Sequence, residues 1–455
     1  MFEIRPMVNP TRLVLLCSAW LAAVIQVVFG PASSLWIDIG VVGYAGFVAL
    51  TLSRLRHGTV LILLILLLVG WFLLDHRPTP DEWWAAGRYV LIFTALLPTM
   101  ALVRATASTM PSVRRTQQSL AELPASASAG GFHLAANIFG SVINTGSVAI
   151  LSAAIPADAD PERRRLAAEA VLRGMVTAAA WSPFFVAFAI GQSFTDNANS
   201  WIALGIGVIT TILFTVVSLP LLNKDFSVTR LSCALRCLQP VLMRLIVVLG
   251  TVLAVALIFD FTALSAVVVV MPLLVAVQFL RHQENITVIL DGTKNSMIAT
   301  ADDILIISMA MLIGYFATRT GAFSVLVASF YDGVIPGYVA IILTPLGMML
   351  ASVVGVHPVI SSTAMLAVFS GGHADAHPAL LMQAHLIGWG AGTMSSVASL
   401  SVITCANLFK VPSRQLVLGP NLWTALAYAL VGGIILSLVK YLSDPPQMAQ
   451  QGKDA

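Results

Sequence analysis

Asn144 and Thr145, within SVINTGSVAIL at 141–151, and Ser361, Ser362 and Thr363, within HPVISSTAMLAV at 357–368, place amide and hydroxyl groups inside otherwise apolar sequence of helical length. Neutral groups of this kind ligate a small cation and hydrogen-bond a carboxylate without burying a permanent charge. About 35 residues after each lies a second interrupted apolar stretch, AAWSPFF around Ser182-Pro183 and GTMSSVAS around Ser395-Ser396. Interrupted spans in corresponding places in two halves of one chain are the best sequence pointer to a carrier's binding site. The substrate candidates are therefore Asn144, Thr145, Ser361, Ser362, Thr363 and His357, with Trp181 and Trp389 flanking the two breaks as walls of a cavity. The ion candidates are Asn144, Ser182, Ser362, Ser395 and Ser396, joined by backbone carbonyls of the breaks. Half-helices ending at mid-membrane would turn N-terminal dipoles toward an anion and C-terminal carbonyls toward a cation.

The elements that must hold these groups follow from composition. With 58% hydrophobic and 10% charged residues over 455 positions, the chain reads as an all-α polytopic membrane protein with no sizeable soluble domain. A net charge of +3 is too small to imply a nucleic-acid partner. Arg5 and Arg12 precede an apolar run that reads as a retained first helix, for want of a small-residue cleavage site. Cys17, Cys233, Cys237 and Cys405 are scattered and read as packing residues. Apolar runs predict spans near 13–29, 35–52, 58–74, 89–103, 168–191, 201–222, 243–258, 262–280, 300–318, 378–409 and 419–440. Two further stretches, 128–155 and 335–370, break at Asn144-Thr145-Gly146 and His357-Pro358.

Basic residues choose between crossings and hairpins. If both stretches are re-entrant, 19 of the 24 Lys and Arg fall on the cytoplasmic side, whereas a full crossing at 128–155 would export Arg163-Arg164-Arg165. The expectation is thus eleven crossings and two re-entrant hairpins, one from each face, in an inverted repeat. The organisation is a first helix at 1–34, repeat one at 35–223 with its hairpin at 122–155, and a cytoplasmic connector at 224–242. Repeat two then covers 243–440 with its hairpin at 335–370, and a polar tail covers 441–455. The N-terminus lies in the cytoplasm and the C-terminus in the periplasm or outside, as suits an inner-membrane, multi-pass protein.

No aspartate or glutamate falls mid-span, which favours sodium over proton coupling. Asp302 and Asp303, Asp38 and Asp260 read as solvated charges at span ends. Histidine is the remaining route to proton coupling; His357 is its candidate, while His133 and His385 read as capping or packing residues. His373, Asp375 and His377 have metal-ligand types but read as an exposed loop, so no metal and no cofactor is expected. No Ser/His/Asp motif, H-E-x-x-H or Gly-rich nucleotide loop is present, which argues against an enzyme or an ATP-driven pump.

Ile143-Asn144-Thr145 and Ser361-Ser362-Thr363 are degenerate versions of a Ser-Asn-Thr hairpin-tip motif, and Ile304–Gly321 resembles the helix before the second arm and hairpin. On these residues the chain resembles the ion transporter superfamily, and most of all its divalent anion/sodium symporter branch. The resemblance implies an elevator-type, homodimeric carrier of a small organic anion such as a dicarboxylate. A scaffold of 13–103 and 243–318 would carry a mobile part holding the hairpins, with 104–120 and 321–333 as connecting arms. The alternatives are a proton-coupled or export-type permease of the same superfamily, like arsenite permeases or the large subunit of tripartite transporters, and a non-transporting membrane subunit. A periplasmic binding-protein partner fits the permease reading but is not implied by the sequence.

Overall fold

A computed structural model describes residues 10–30, 34–73, 77–156, 158–222, 228–317, 334–370, 374–397 and 399–443. Among these the secondary structure is helical, apart from one isolated bridge between Ile335 and Ala374. Seven described helices are long and apolar enough to cross a membrane, and two bent pairs raise the number to nine, the pattern of a multi-pass membrane protein. The chain divides into two compact units, each built from two separate segments: 1–119 with 237–320, and 120–236 with 321–455.

The first unit contains α1 (Pro10–Phe29), α2 (Ser34–Leu52), α3 (His57–Leu73), α4 (Pro80–Thr109) and most of α5 (Pro111–Ala121). From its second segment come most of α11 (Val228–Ile258), then α12 (Ala263–Arg281), α13 (Ile286–Ala299) and α14 (Ala301–Ala317). Its axis is α4, which packs against α1, α2, α12, α13 and α14 and is the most buried of the span-length helices. A capping box starts α4: Thr79 Oγ1 accepts the Glu82 N–H, and the Glu82 carboxylate accepts the Thr79 N–H at 2.7 Å, with Pro80 in the first turn.

Two acidic groups expected to be solvated are instead paired in this unit. Asp38 accepts Arg88 at 2.6 Å and the Trp84 indole at 3.0 Å, tying α2 to α4. Asp302 accepts Arg56 at 2.8 Å and Thr59 at 2.7 Å, tying α14 to the start of α3. Where a charge loses part of its water, an ion pair or hydrogen bond offsets the cost. Asp303 is half-buried, and Asp260 is exposed in a left-handed turn at φ 51°.

Helix α13 has no counterpart among the expected spans; it is bent by 56° from α14 across Thr300. The connector expected at 224–242 is helical from Val228 onward and continuous with α11, with Pro240 inside it. Cys17 and Cys233 are exposed, while Cys237 and Cys405 pack as expected. The proposed arm at 321–333 and the tail from residue 444 lie outside the described residues.

The second unit holds α6 (Ala125–Ile143), α7 (Gly146–Ser152), α8 (Pro161–Thr177), α9 (Val186–Gln192) and α10 (Asn197–Leu222). It also holds α15 (Gly337–Val353), α16 (Pro358–Phe369), α17 (Pro378–Ser395), α18 (Leu400–Phe409), α19 (Ser413–Leu418) and α20 (Pro420–Ser443). Four interrupted helices are thus gathered in one unit: α6/α7, α8/α9, α15/α16 and α17/α18. Their packing is crosswise. The long arm α6 lies on α8 and the long arm α15 on α17, and each short arm also reaches the other half: α7 touches α18 as well as α8, and α16 touches α9 as well as α17. Each half of the unit therefore supplies the short arm that packs the far end of the other half's broken helix.

Close approach of backbones makes this possible. A Cβ on Gly174 of α8 would stand 2.0 Å from the His133 carbonyl oxygen of α6, so only glycine fits. In α17, Gly388 meets the backbone of Pro345 on α15, while Gly390 meets the Val176 carbonyl on the opposite side, at the end of α8.

Candidate functional site

The first tip is a tight turn. Asn144 has φ 49° and ψ −129°, and Thr145 has φ −55° and ψ −19°, close to the two central positions of a type II′ turn. Asparagine is one of the few non-glycine residues that tolerates the first of these. Its N–H donates to Gly140 O at 2.9 Å and its carbonyl accepts Ser147 N–H at 2.9 Å and Ser147 Oγ at 2.7 Å, so the turn's backbone is satisfied. The Asn144 amide and Thr145 hydroxyl are half-buried and make no hydrogen bond with another described residue.

The second tip differs. The turn falls at Val354-Gly355, with Gly355 at φ 93° and Val354 80% exposed, so the tip is apolar rather than polar. His357 caps α16, its Nδ1 accepting the Val359 N–H at 3.3 Å, and Pro358 opens the helix. Ser361, Ser362 and Thr363 are therefore not at the tip but one turn inside α16, all buried. The Thr363 hydroxyl has no hydrogen-bond partner.

The first broken helix, α8/α9, starts with Asp160 accepting the Arg163 N–H at 2.8 Å and with Pro161 in the first turn. It tightens into a 3₁₀ turn at Ala178–Ala180 and breaks at Trp181–Phe185, where Pro183 has no N–H to continue the ladder. Ser182 closes part of the gap: its hydroxyl donates to Ser141 O of α6 and accepts the Phe184 N–H at 3.1 Å. Thr211 of α10 donates to Thr177 O at 3.1 Å, and Asn137 of α6 donates to Gly174 O at 3.2 Å.

Side chains of α17 engage further carbonyls around the break. Gln383, with its amide nitrogen turned toward the carbonyls, donates to Ala180 O at 3.1 Å and to Ala203 O at 2.9 Å. His385 Nε2 lies 2.9 Å from Ala187 O, and its Nδ1 lies 3.2 Å from Ser362 Oγ. A carbonyl only accepts, so the proton of a neutral ring is on Nε2 and Ser362 donates to Nδ1. His385 thereby joins α9, α16 and α17, and its ring lies edge-on to Trp389 with centroids 6.3 Å apart. At membrane depth each such bond matters, because an orphaned backbone group costs several kcal/mol.

The second broken helix stops at Ser395. The Ser395 hydroxyl donates within its own turn to Gly392 O at 3.2 Å, and Ser396 caps the helix in extended conformation. Trp181 sits in its break as expected, but Trp389 lies two turns before Ser396 within α17, so the two tryptophans do not flank the breaks symmetrically. Of the expected residues, Ser362 is hydrogen-bonded to His385 and Ser182 to the first hairpin, and no hydrogen bond among the described residues joins Asn144 or Thr145 to the residues of α16. Gln383 was not foreseen; a lone amide in an apolar span is its signal.

His377 caps α17 through Nδ1, Asp375 pairs with Lys440 at 3.0 Å, and His373 lies outside the described residues, so the expected loop role fits the described pair. Among the described residues no group of three or more His, Cys, Asp or Glu is placed to hold a metal ion. Comparison with protein-family models gave no match, and comparison with curated proteins gave none either.

Proposed function

We propose that the protein is a secondary active transporter that carries a small organic anion of the carboxylate class across the inner membrane by an elevator mechanism, coupled to sodium. The observation that carries this reading is the crosswise packing of four interrupted helices in one compact unit, with polar groups held at or near their breaks. A protein that needed only to span the bilayer would not keep four breaks at the cost of so many side-chain hydrogen bonds. The division into two units, with both hairpins in one, matches the division into fixed scaffold and moving part that the family resemblance implies.

In this reading α6/α7 and α15/α16 are re-entrant hairpins entering from opposite faces. The shorter α3 and the broken pair α8/α9 complete eleven crossings, and two copies associate through their scaffolds. Asn144, Thr145 and Thr363 are the groups available to the cargo, because Ser182 and Ser362 are already engaged. Backbone carbonyls at the breaks and Ser395-Ser396 serve the sodium ion.

Purified protein in liposomes, given a panel of labelled mono- and dicarboxylates under an imposed sodium or proton gradient, tests this directly. Sodium-driven uptake of a carboxylate is expected. Uptake driven by protons alone would favour the permease alternative, and no uptake of any anion under either gradient would favour a non-transporting subunit.

A further inference from the structure

Within the second unit a cavity of about 790 Å³ runs between α10 and α20 and ends against α8. Its long walls are apolar, with Leu213, Val217, Trp423 and Val431 on them, and Val217 and Trp423 are 65% and 69% exposed, so the slot opens sideways. Both flanking helices are long and apolar enough to cross a membrane. From Pro420 to Ile435 the slot follows α20 for about 22 Å, the reach of a long acyl chain.

The closed end has different chemistry. Arg173 lines it and is 2% exposed. Its Nε donates to Asn421 Oδ1 at 2.6 Å, the one hydrogen bond of the guanidinium among the described residues. Glu169, one turn earlier, pairs with Arg165 at 2.9 Å and its charge also acts on Arg173, so one carboxylate is shared between two guanidinium groups. Asn421 Nδ2 and Tyr428 Oη are buried without partners, and the N-terminus of α20 opens at Pro420 in the same lining. Thr210, Ser218 and Thr424 spend their hydroxyls on carbonyls of their own helices. A buried cation with spare donors at the end of an apolar slot calls for an anion that carries a long apolar tail.

We propose that the slot binds one anionic phospholipid, with its phosphate on Arg173, which Asn421 holds in place, and on the first turn of α20, and with an acyl chain between α10 and α20. Arginine presents a planar fork to phosphate oxygens, and basic pockets between membrane helices are a recognised lipid-binding arrangement. The inference is independent of any transported cargo.

The test is native mass spectrometry of the delipidated full-length protein, titrated with phosphatidylglycerol or phosphatidylcholine of identical acyl chains. The wild type is expected to bind one phosphatidylglycerol at least tenfold more tightly than phosphatidylcholine. Arg173→Gln should bring the two lipids level. Ala427→Trp, an exposed change that fills the slot without touching the buried end, should weaken phosphatidylglycerol binding at least tenfold and keeps the test decisive if Arg173→Gln does not fold. Equal binding of the two lipids by the wild type, or unchanged phosphatidylglycerol binding by Ala427→Trp, would overturn the proposal.

Discussion

His385 ties three helices of the second unit together, since one neutral ring on α17 links a backbone carbonyl of α9 to a hydroxyl of α16. Replacing it with alanine leaves Ala187 O without its donor and opens a void at a fully buried position. His385→Ala should therefore destabilise the protein by on the order of 2–4 kcal/mol, read as an earlier loss of the monodisperse peak after heating in detergent. Asn144→Gly, which removes the amide but accepts the positive φ, and Thr363→Ala are expected to behave in the opposite way. Their side chains support no other described residue, so expression and heat resistance should hold while sodium-driven uptake falls to background. Normal uptake in both variants would move the cargo site elsewhere.

The residue types at the breaks were legible in the sequence because proline, asparagine and serine interrupt an apolar run visibly. The second tip was not. Val353, Val354 and Val356 continue the apolar pattern straight through the turn, and the conspicuous Ser361-Ser362-Thr363 drew attention one turn too far along.

Among the elements, four interrupted helices stand where the sequence put them, at α6/α7, α8/α9, α15/α16 and α17/α18. Two other helices escaped notice for a common reason. Asp291, Lys294 and Asn295 dilute the apolar signal of α13, and Arg230, Arg236 and Pro240 do the same for the first half of α11, yet both stretches are helical. Lysine and arginine form helices as readily as most apolar residues, so a diluted apolar signal argues against a span without arguing against a helix. The α6/α8 contact offers a paired test. Gly174→Ala puts a methyl against the His133 carbonyl and should cost about 3 kcal/mol or more. Gly205→Ala in α10 meets nothing within 4 Å and should leave stability unchanged or raise it by up to about 1 kcal/mol. Matching heat profiles for the two variants would show that the helices have room to separate.

For the whole molecule, the division into two units and the proposed topology answer to separate experiments. The segment joining the first hairpin to α8 carries Asp158, exposed, shortly before Arg163-Arg164-Arg165. In a background without the four native cysteines, Asp158→Cys should react with a membrane-impermeant maleimide only from the cytoplasmic side. Reaction from the outside would turn the first hairpin into a full crossing and undo the inverted repeat. The glycines of α17 bear on what could then move. Gly388 admits α15 on one flank and Gly390 the end of α8 on the opposite flank, so α17 is seated between two backbones like a shaft in a slot. A displacement that keeps both close approaches carries α8 and α15 along as a single block, and spin labels on those three helices are expected to keep their mutual distances through every stage of a working cycle.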